Sequence, residues 1–253
     1  MSYQAMLKRD RGLVIAAMVV MAVLAWWYML YLGLKHTSMA EVMAMPKMTE
    51  WSSADFVFML VMWAVMMFAM MLPSVTPTLM IFGQVTQRRK SAGRSFAPTA
   101  AFVAGYLLAW IGFSLLATVV NWWLHTHGWM TSMMGQIGPG IGGVLLISAG
   151  LFQWTPLKNA CLDHCRSPMS FLMHHWREGV SGATVMGLHH GVYCLGCCWM
   201  LMSLLFVLGV MNLPWVAVLA IVVLAEKILP GGQILSRILG LGLIGWGVWL
   251  LAS

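Results

Sequence analysis

Long apolar runs separated by short, often basic, intervals set the pattern of this chain. Seven can be marked, at roughly 12–34, 55–82, 98–120, 137–155, 183–210, 213–229 and 235–252. An α-helix rises about 1.5 Å per residue, so ~20 apolar residues cross the ~30 Å hydrocarbon layer of a bilayer. The runs are continuous, unlike the alternating ~10-residue segments of an outer-membrane barrel. They therefore predict an all-α, polytopic transmembrane bundle in a single domain over residues 1–253. The second and fifth runs are over-long and must tilt, kink or project beyond the bilayer. Pro73 and Pro77 predict a kink or break near the end of the second.

Charge placement sets an expected orientation. Lys8, Arg9, Arg11, Arg88, Arg89, Lys90, Arg94, Lys158, Arg166, Arg177, Lys227 and Arg237 fall on one side, and Lys35 and Lys47 on the other. Twelve against two puts the N-terminus in the cytoplasm and, after seven spans, the C-terminus outside. The opening Lys8-Arg9-Asp10-Arg11 followed by an apolar run resembles a secretory signal. The run is about 22 residues, longer than the ~7–15 of a signal core, so a retained anchor is expected despite the faint cleavage pattern Ser38-Met39-Ala40. Such a chain belongs in a bacterial inner, cytoplasmic membrane. Composition agrees: 61% of residues are hydrophobic, 8% are charged and mean hydropathy is +0.84. A soluble enzyme, a disordered chain and a disulfide-stapled secreted module are all excluded, since each needs a larger polar fraction. The net charge of +7 sits in juxtamembrane clusters and forms no basic face with interleaved aromatics, so no nucleic-acid partner is expected. Glycines at 138, 140, 142 and 143, and at 240, 242, 245 and 247, are expected to let helices approach closely.

The candidate chemistry lies in the second and fifth runs. The fifth reads Met186-Gly-Leu-His189-His190-Gly-Val-Tyr193-Cys194-Leu-Gly-Cys197-Cys198-Trp199-Met200-Leu-Met202. On a helix, Met186, Cys197, His190 and Cys194 fall within an arc of about 80°, with Cys198 about 40° beyond and His189 on the opposite flank. Imidazole, thiol and thioether donors on one stripe select Cu(I) or Zn over hard cations. A lone buried cysteine is an ordinary small hydrophobe. Three cysteines and two histidines within ten residues, each His needing a partner inside a membrane, point to function. In the second run Met59, Met66 and Met70 share an arc of about 40°, flanked by Met62 and Trp63. Alone such a stripe reads as packing; facing the fifth run, it becomes a matching soft wall.

These segments resemble a known family. Met62-Trp63-Ala-Val-Met66-Met67-Phe-Ala-Met70-Met71-Leu-Pro73-Ser74, the pair Cys161-x3-Cys165 followed by Pro168, and Gly191-Val-Tyr-Cys194-Leu-Gly-Cys197-Cys198-Trp199-Met-Leu-Met202 are similar to three motifs of a bacterial group described as predicted metal-binding integral membrane proteins, a domain of unknown function. The resemblance covers roughly residues 55–250. It implies a helical membrane protein that binds metal, and names neither metal nor activity.

A third cluster, Cys161-Leu-Asp163-His164-Cys165-Arg166, lies in a stretch expected to be a cytoplasmic loop. It offers two thiols and an imidazole on one helical turn or tight loop, suited to Cu(I), or to Zn if His174 or His175 joins. The alternative is a pair of reduced cytosolic thiols with no role. Softer outer signals are His36, Met39, Met43, Met45 and Met48 between the first two runs, and His125, His127, Met130, Met133 and Met134 between the third and fourth. A Met-rich outside and Cys-rich inside form an affinity gradient pointing inward, although interfacial helices explain the same residues equally well. Glu226 next to Lys227 is either an interfacial partner for its neighbour or a counter-charge.

No phosphate-cradling Gly-Lys-Ser/Thr loop occurs, so ATP hydrolysis by that route is absent. The leading expectation is a membrane protein that handles a soft metal, Cu(I) first and Zn second, for transport or for delivery to a membrane metalloenzyme. Its metal ligands would come from His189, His190, Cys194, Cys197, Cys198, Met59, Met66 and Met70, with Cys161, His164 and Cys165 on the cytoplasmic exit. Expected partners are the lipid bilayer and a metallochaperone or membrane metalloenzyme, with oligomerisation open. Two rival readings are a thiol oxidoreductase using Cys194-x2-Cys197 and an accessory subunit of a larger membrane complex.

Overall fold

The computed structural model describes residues 16, 19–28, 30–31, 51–91, 98–130, 136–210 and 212–252. Both ends of the first expected span, and with them His36, Met39, Met43, Met45, Met48, Met133 and Met134, lie outside the described residues. Among the described residues the secondary structure is helical, with one isolated antiparallel bridge between Met130 and Ile137. After a short apolar helix, Val19–Tyr28, come α1 (Ser53–Ser91), α2 (Thr99–Thr126), α3 (Pro139–Phe152), α4 (Pro156–Arg166) and α5 (Pro168–His175). These are followed by α6 (Gly179–Ser203), the single turn α7 (Leu205–Leu208), α8 (Leu213–Ile228) and α9 (Gly232–Ala252).

Among the described residues four helices are long and apolar enough to cross a membrane, namely Ser53–Arg89, Thr99–Thr126, Gly179–Leu208 and Gly232–Ala252. The pair α3 and α4, bent by 63°, makes a fifth if it is taken as one broken span.

Helix α1 opens with a reciprocal cap. The Ser52 backbone N–H donates to Asp55 Oδ2 at 2.9 Å, and the Asp55 N–H donates to Ser52 Oγ at 3.2 Å, satisfying donors that a helix start leaves open. The expected break at Pro73 and Pro77 does not occur: the helix runs unbroken through both to Ser91. A proline removes the N–H that would bond the carbonyl four residues back. For Pro73 that carbonyl is Ala69's, and the Trp26 indole N–H donates to it at 3.2 Å. In lipid, where water cannot satisfy a freed carbonyl, a neighbouring helix supplies this donor. At 39 residues, α1 is about 58 Å long, longer than the ~30 Å hydrocarbon layer of a bilayer. Near its C-terminal end, Arg89 pairs with Glu178 at 3.5 Å and lies 4.4 Å over the Trp176 ring.

The stretch expected as a cytoplasmic loop is instead two short helices. Thr155 caps α4, its hydroxyl accepting from the Lys158 N–H at 3.3 Å, and Pro156 occupies the first turn, where a missing N–H costs nothing. α4 then folds back against α6. The closest helix pairs are α2 with α6 and α3 with α9. In the first, a side chain at Gly105 would strike the Thr184 carbonyl, and one at Gly187 the Phe102 carbonyl. In the second, Gly143 and Gly247 face each other's helix in the same way, as expected of that glycine cluster, whereas Gly138, Gly140, Gly242 and Gly245 meet nothing. Small residues permit this contact where no hydrophobic effect drives helices together.

Helices α1 and α6 do not come into such contact, and large side chains fill the space between them. Met59, Met62, Trp63, Met66, Met67, Met70 and Met71 of α1 are all buried in the core. Aromatic rings close the core at both ends. Trp63 packs on Phe206 with centroids 5.1 Å apart at one end, and Phe82 packs on Phe102 at 4.7 Å at the other.

Candidate metal centre

The geometry starts from the backbone of α6. His190 and Cys194 are one turn apart, and Cys197 and Cys198 follow on the next turn; all four are buried. The Cys197 and Cys198 thiols turn back to the Cys194 carbonyl at 3.0 and 2.9 Å. His189, on the other flank, is exposed, its ring 6.2 Å from that of His175, and is not brought to the cluster.

Cys194 is the most heavily contacted sulfur. Lys227 Nζ, from α8, donates to its Sγ at 2.9 Å, and Tyr106 Oη, from α2, lies 3.1 Å from it. Lys227 also donates to Ser74 Oγ at 3.1 Å, and Tyr106 to the Met71 carbonyl at 3.3 Å. Four helices thus converge on one thiol. One turn away, His190 Nε2 lies 3.4 Å from Thr78 Oγ1. Its Nδ1 is buried with no hydrogen-bond partner, a state that ordinarily costs about 1–3 kcal/mol and marks an unused lone pair or proton. Phe171, Phe102 and Tyr106 ring it at 5.3–6.1 Å.

The two cysteine groups, read from the sequence as separate, meet. Cys161 and Cys165 share one face of α4, and that face lies on α6. Cys161 Sγ sits where a side chain at Gly196 would be, 2.8 Å from its Cβ, and the Cys165 thiol interacts with those of Cys194 and Cys197. All five cysteines are free. Among the described residues no group of three or more His, Cys, Asp or Glu side chains is set to hold a metal ion. The soft donors near one another are the thiols of α6 and α4, with buried methionines and the His190 imidazole in the same core.

Cross-helix contacts fix the register between α1 and α6. Thr78 meets His190, Ser74 and Met71 reach the Cys194 level through Lys227 and Tyr106, and Trp63 meets Phe206. The helices run antiparallel. Met70 sits near the thiol level, Met66 one turn further out, and Met59 about 18 Å from Met71 along the axis. Met59, Met66 and Met70 are rungs of a buried ladder rather than neighbours in one coordination shell.

His164 stacks on Tyr193, with centroids 4.3 Å apart and planes 8° apart. With Asp163, Phe171, His174 and His175 it lines an open cleft of about 210 Å³ at the outer side of α4 and α5. Nδ1 of His164, His174 and His175 lies at 2.8, 2.8 and 3.1 Å from the carbonyl four residues back. A carbonyl only accepts, so each Nδ1 carries the proton and Nε2 keeps its lone pair when the ring is neutral. The outer histidines are spent on packing: His125 Nδ1 accepts from the Trp51 indole at 2.9 Å, and His127 Nδ1 donates to the Trp123 carbonyl at 2.8 Å.

Glu226 does not pair with its neighbour Lys227. It accepts from Lys158 Nζ at 2.9 and 2.8 Å and from Ser236 at 2.8 Å, and Gln153 also accepts from Lys158. Lys158, counted among the cytoplasmic charges, is wholly buried. Sequence reasoning did not find Lys227, Tyr106, Ser74 or Thr78 as parts of the site. The available signal was the charge of Lys227 at the end of an apolar run, since an ionisable group there needs a partner inside the protein.

Such a fold and site define a class: helical proteins of membrane-crossing length with soft donors gathered in the interior. The profile of the PpoB2 copper chaperone family matches residues 60–250, well over half of the chain, and the chain belongs to that family. No curated protein and no solved structure matches it.

Proposed function

We propose that this protein carries Cu(I) through a bacterial inner membrane, or holds it there, and delivers it to a metalloenzyme. Copper is its cargo. The observation that carries the reading is the buried stripe of His190, Cys194, Cys197 and Cys198 at the foot of the methionine ladder, with Cys161 of α4 laid against the same helix at Gly196. Cu(I) accepts two or three soft ligands, and thiolate binds it more tightly than thioether. Met59, Met66 and Met70 are weak successive stations, and Cys194 with Cys197 or Cys165 is the strong one. His190 offers an imidazole beside them, Cys198 a spare thiol, and Cys161 and His164 lie on the way out.

In this reading the seven-span arrangement holds, with the N-terminus in the cytoplasm and the C-terminus outside, so the thiol cluster faces the cytoplasmic half. Movement is driven by the copper gradient and by a thiol acceptor, a metallochaperone or the metalloenzyme itself. Zinc is the alternative cargo, and an elemental spectrum of the protein decides between them. The test compares detergent-purified wild type with Cys194→Ala/Cys197→Ala after loading with Cu(I) under reducing conditions. Wild type retains copper near one equivalent and the variant does not. Equal trace copper in both refutes the proposal.

A further inference from the structure

We infer that Lys227 is a charge selector, tuning the thiol site to monovalent metal ions and against divalent ones. The inference rests on the copper-handling reading and adds to it a reason for the site's preference.

Lys227 is an amine 9% exposed at the end of α8. Its Nζ contacts Cys194 Sγ at 2.9 Å and Ser74 Oγ at 3.1 Å. Among the described residues it has no carboxylate partner: the adjacent Glu226 turns to Lys158 and Ser236. A buried ammonium without an anion is expensive. The group beside it able to carry negative charge is the Cys194 sulfur, and cysteine binds metal as thiolate.

Charge counting then discriminates between ions. In the proposed site two thiolates hold the ion, Cys194 and either Cys197 or Cys165. With Cu(I) or Ag(I), two thiolates leave one net negative charge, and the Lys227 ammonium brings the whole to zero. With Zn(II) the pair is already neutral, and the ammonium leaves a net positive charge in a medium that solvates it poorly. In low dielectric an unbalanced charge at contact distance is penalised far more than in water. Coordination geometry at two thiols already favours an ion that accepts two ligands over a tetrahedral one; the charge balance is what Lys227 adds to that preference. Lys227 is a positioning and selecting residue and not itself a ligand, because an ammonium has no lone pair.

The test uses the full chain in detergent, equilibrated with buffered Ag(I), a redox-inert monovalent soft ion, and Zn(II) together, with both elements counted in the washed protein. Wild type retains silver over zinc. In Lys227→Met the silver-to-zinc ratio falls at least about tenfold, and Lys227→Arg, which keeps the charge, restores it. A folded Lys227→Met with the wild-type ratio overturns the inference. So does one that takes up neither ion, since Lys227 would then serve binding itself. Should Lys227→Met fail to fold, Lys227→Gln keeps a polar chain without the charge and reads the same ratio. Cys194→Ala/Cys197→Ala separates the two levels. If that variant still takes up silver as wild type does, the copper-site reading fails. If it loses silver while Lys227→Met keeps the wild-type ratio, only the selector role fails.

Discussion

The buried ion pair between Lys158 and Glu226 holds α4, and with it Cys161 and Cys165, in place, so breaking it should cost stability and slow the metal's exit. Lys158 is wholly buried and Glu226 is 2% exposed. The carboxylate takes two bonds from the ammonium, at 2.9 and 2.8 Å, and one from Ser236 at 2.8 Å. Glu226→Leu strands the ammonium with only Gln153 as a polar partner, and Lys158→Met strands the carboxylate with only Ser236. Removing one member of a buried pair costs about 3–5 kcal/mol because an uncompensated charge stays behind, whereas replacing both by apolar groups is often neutral. Each single variant is therefore expected to lose about 3–5 kcal/mol, and Lys158→Met/Glu226→Leu to fall within about 1 kcal/mol of wild type, a coupling well above that of independent sites. Unfolding by SDS titration in mixed micelles, followed by helical circular dichroism, measures the stabilities, and the rate of copper transfer to a soluble thiol acceptor reports whether α4 still presents its cysteines. Single variants within about 1 kcal/mol of wild type would refute the reasoning. A double variant no better than the singles would refute it too.

Further outcomes test other parts of the argument. Cys165→Ser should keep copper on Cys194 and Cys197 but slow its transfer to a soluble thiol acceptor, because a hydroxyl is a hard, poor Cu(I) ligand; stopped-flow transfer to a chromogenic thiol measures this, and loss of bound copper would make Cys165 a permanent ligand instead. Gly187→Ala should lose about 1–3 kcal/mol by overpacking against the Phe102 carbonyl, while Gly245→Ala, with nothing within 4 Å, should be neutral or slightly stabilising; the same SDS titration compares them. Trp26→Phe should cost about 1–3 kcal/mol by leaving the Ala69 carbonyl opposite Pro73 without its donor, and an unchanged midpoint would mean another group takes over.

The helices themselves were legible in the sequence because their cause is local. Inside a bilayer each backbone group must be satisfied within its own segment, so a long apolar run is sufficient reason for a helix, and α1, α2, α6 and α9 lie where the runs lie. The stripe of His190, Cys194 and Cys197 was legible for the same reason, since helical spacing alone places residues on one face. The copper association read from donor softness agrees with the family to which the chain belongs. What no local pattern carried was the relation of one helix to another. The 63° bend after Phe152 turns an expected loop into a helix and lays Cys161 against α6 at Gly196. The antiparallel register of α1 on α6 spreads Met59, Met66 and Met70 along a ladder. Adjacent charges at Glu226 and Lys227 project in different directions from α8 and find partners far away in sequence, Lys158 and Cys194. Each of these depends on how closely two helices approach and at what height. That is decided by pairs of contacts such as Gly105 on Thr184 and Gly187 on Phe102, whose members lie some eighty residues apart in the chain and meet only when it is folded.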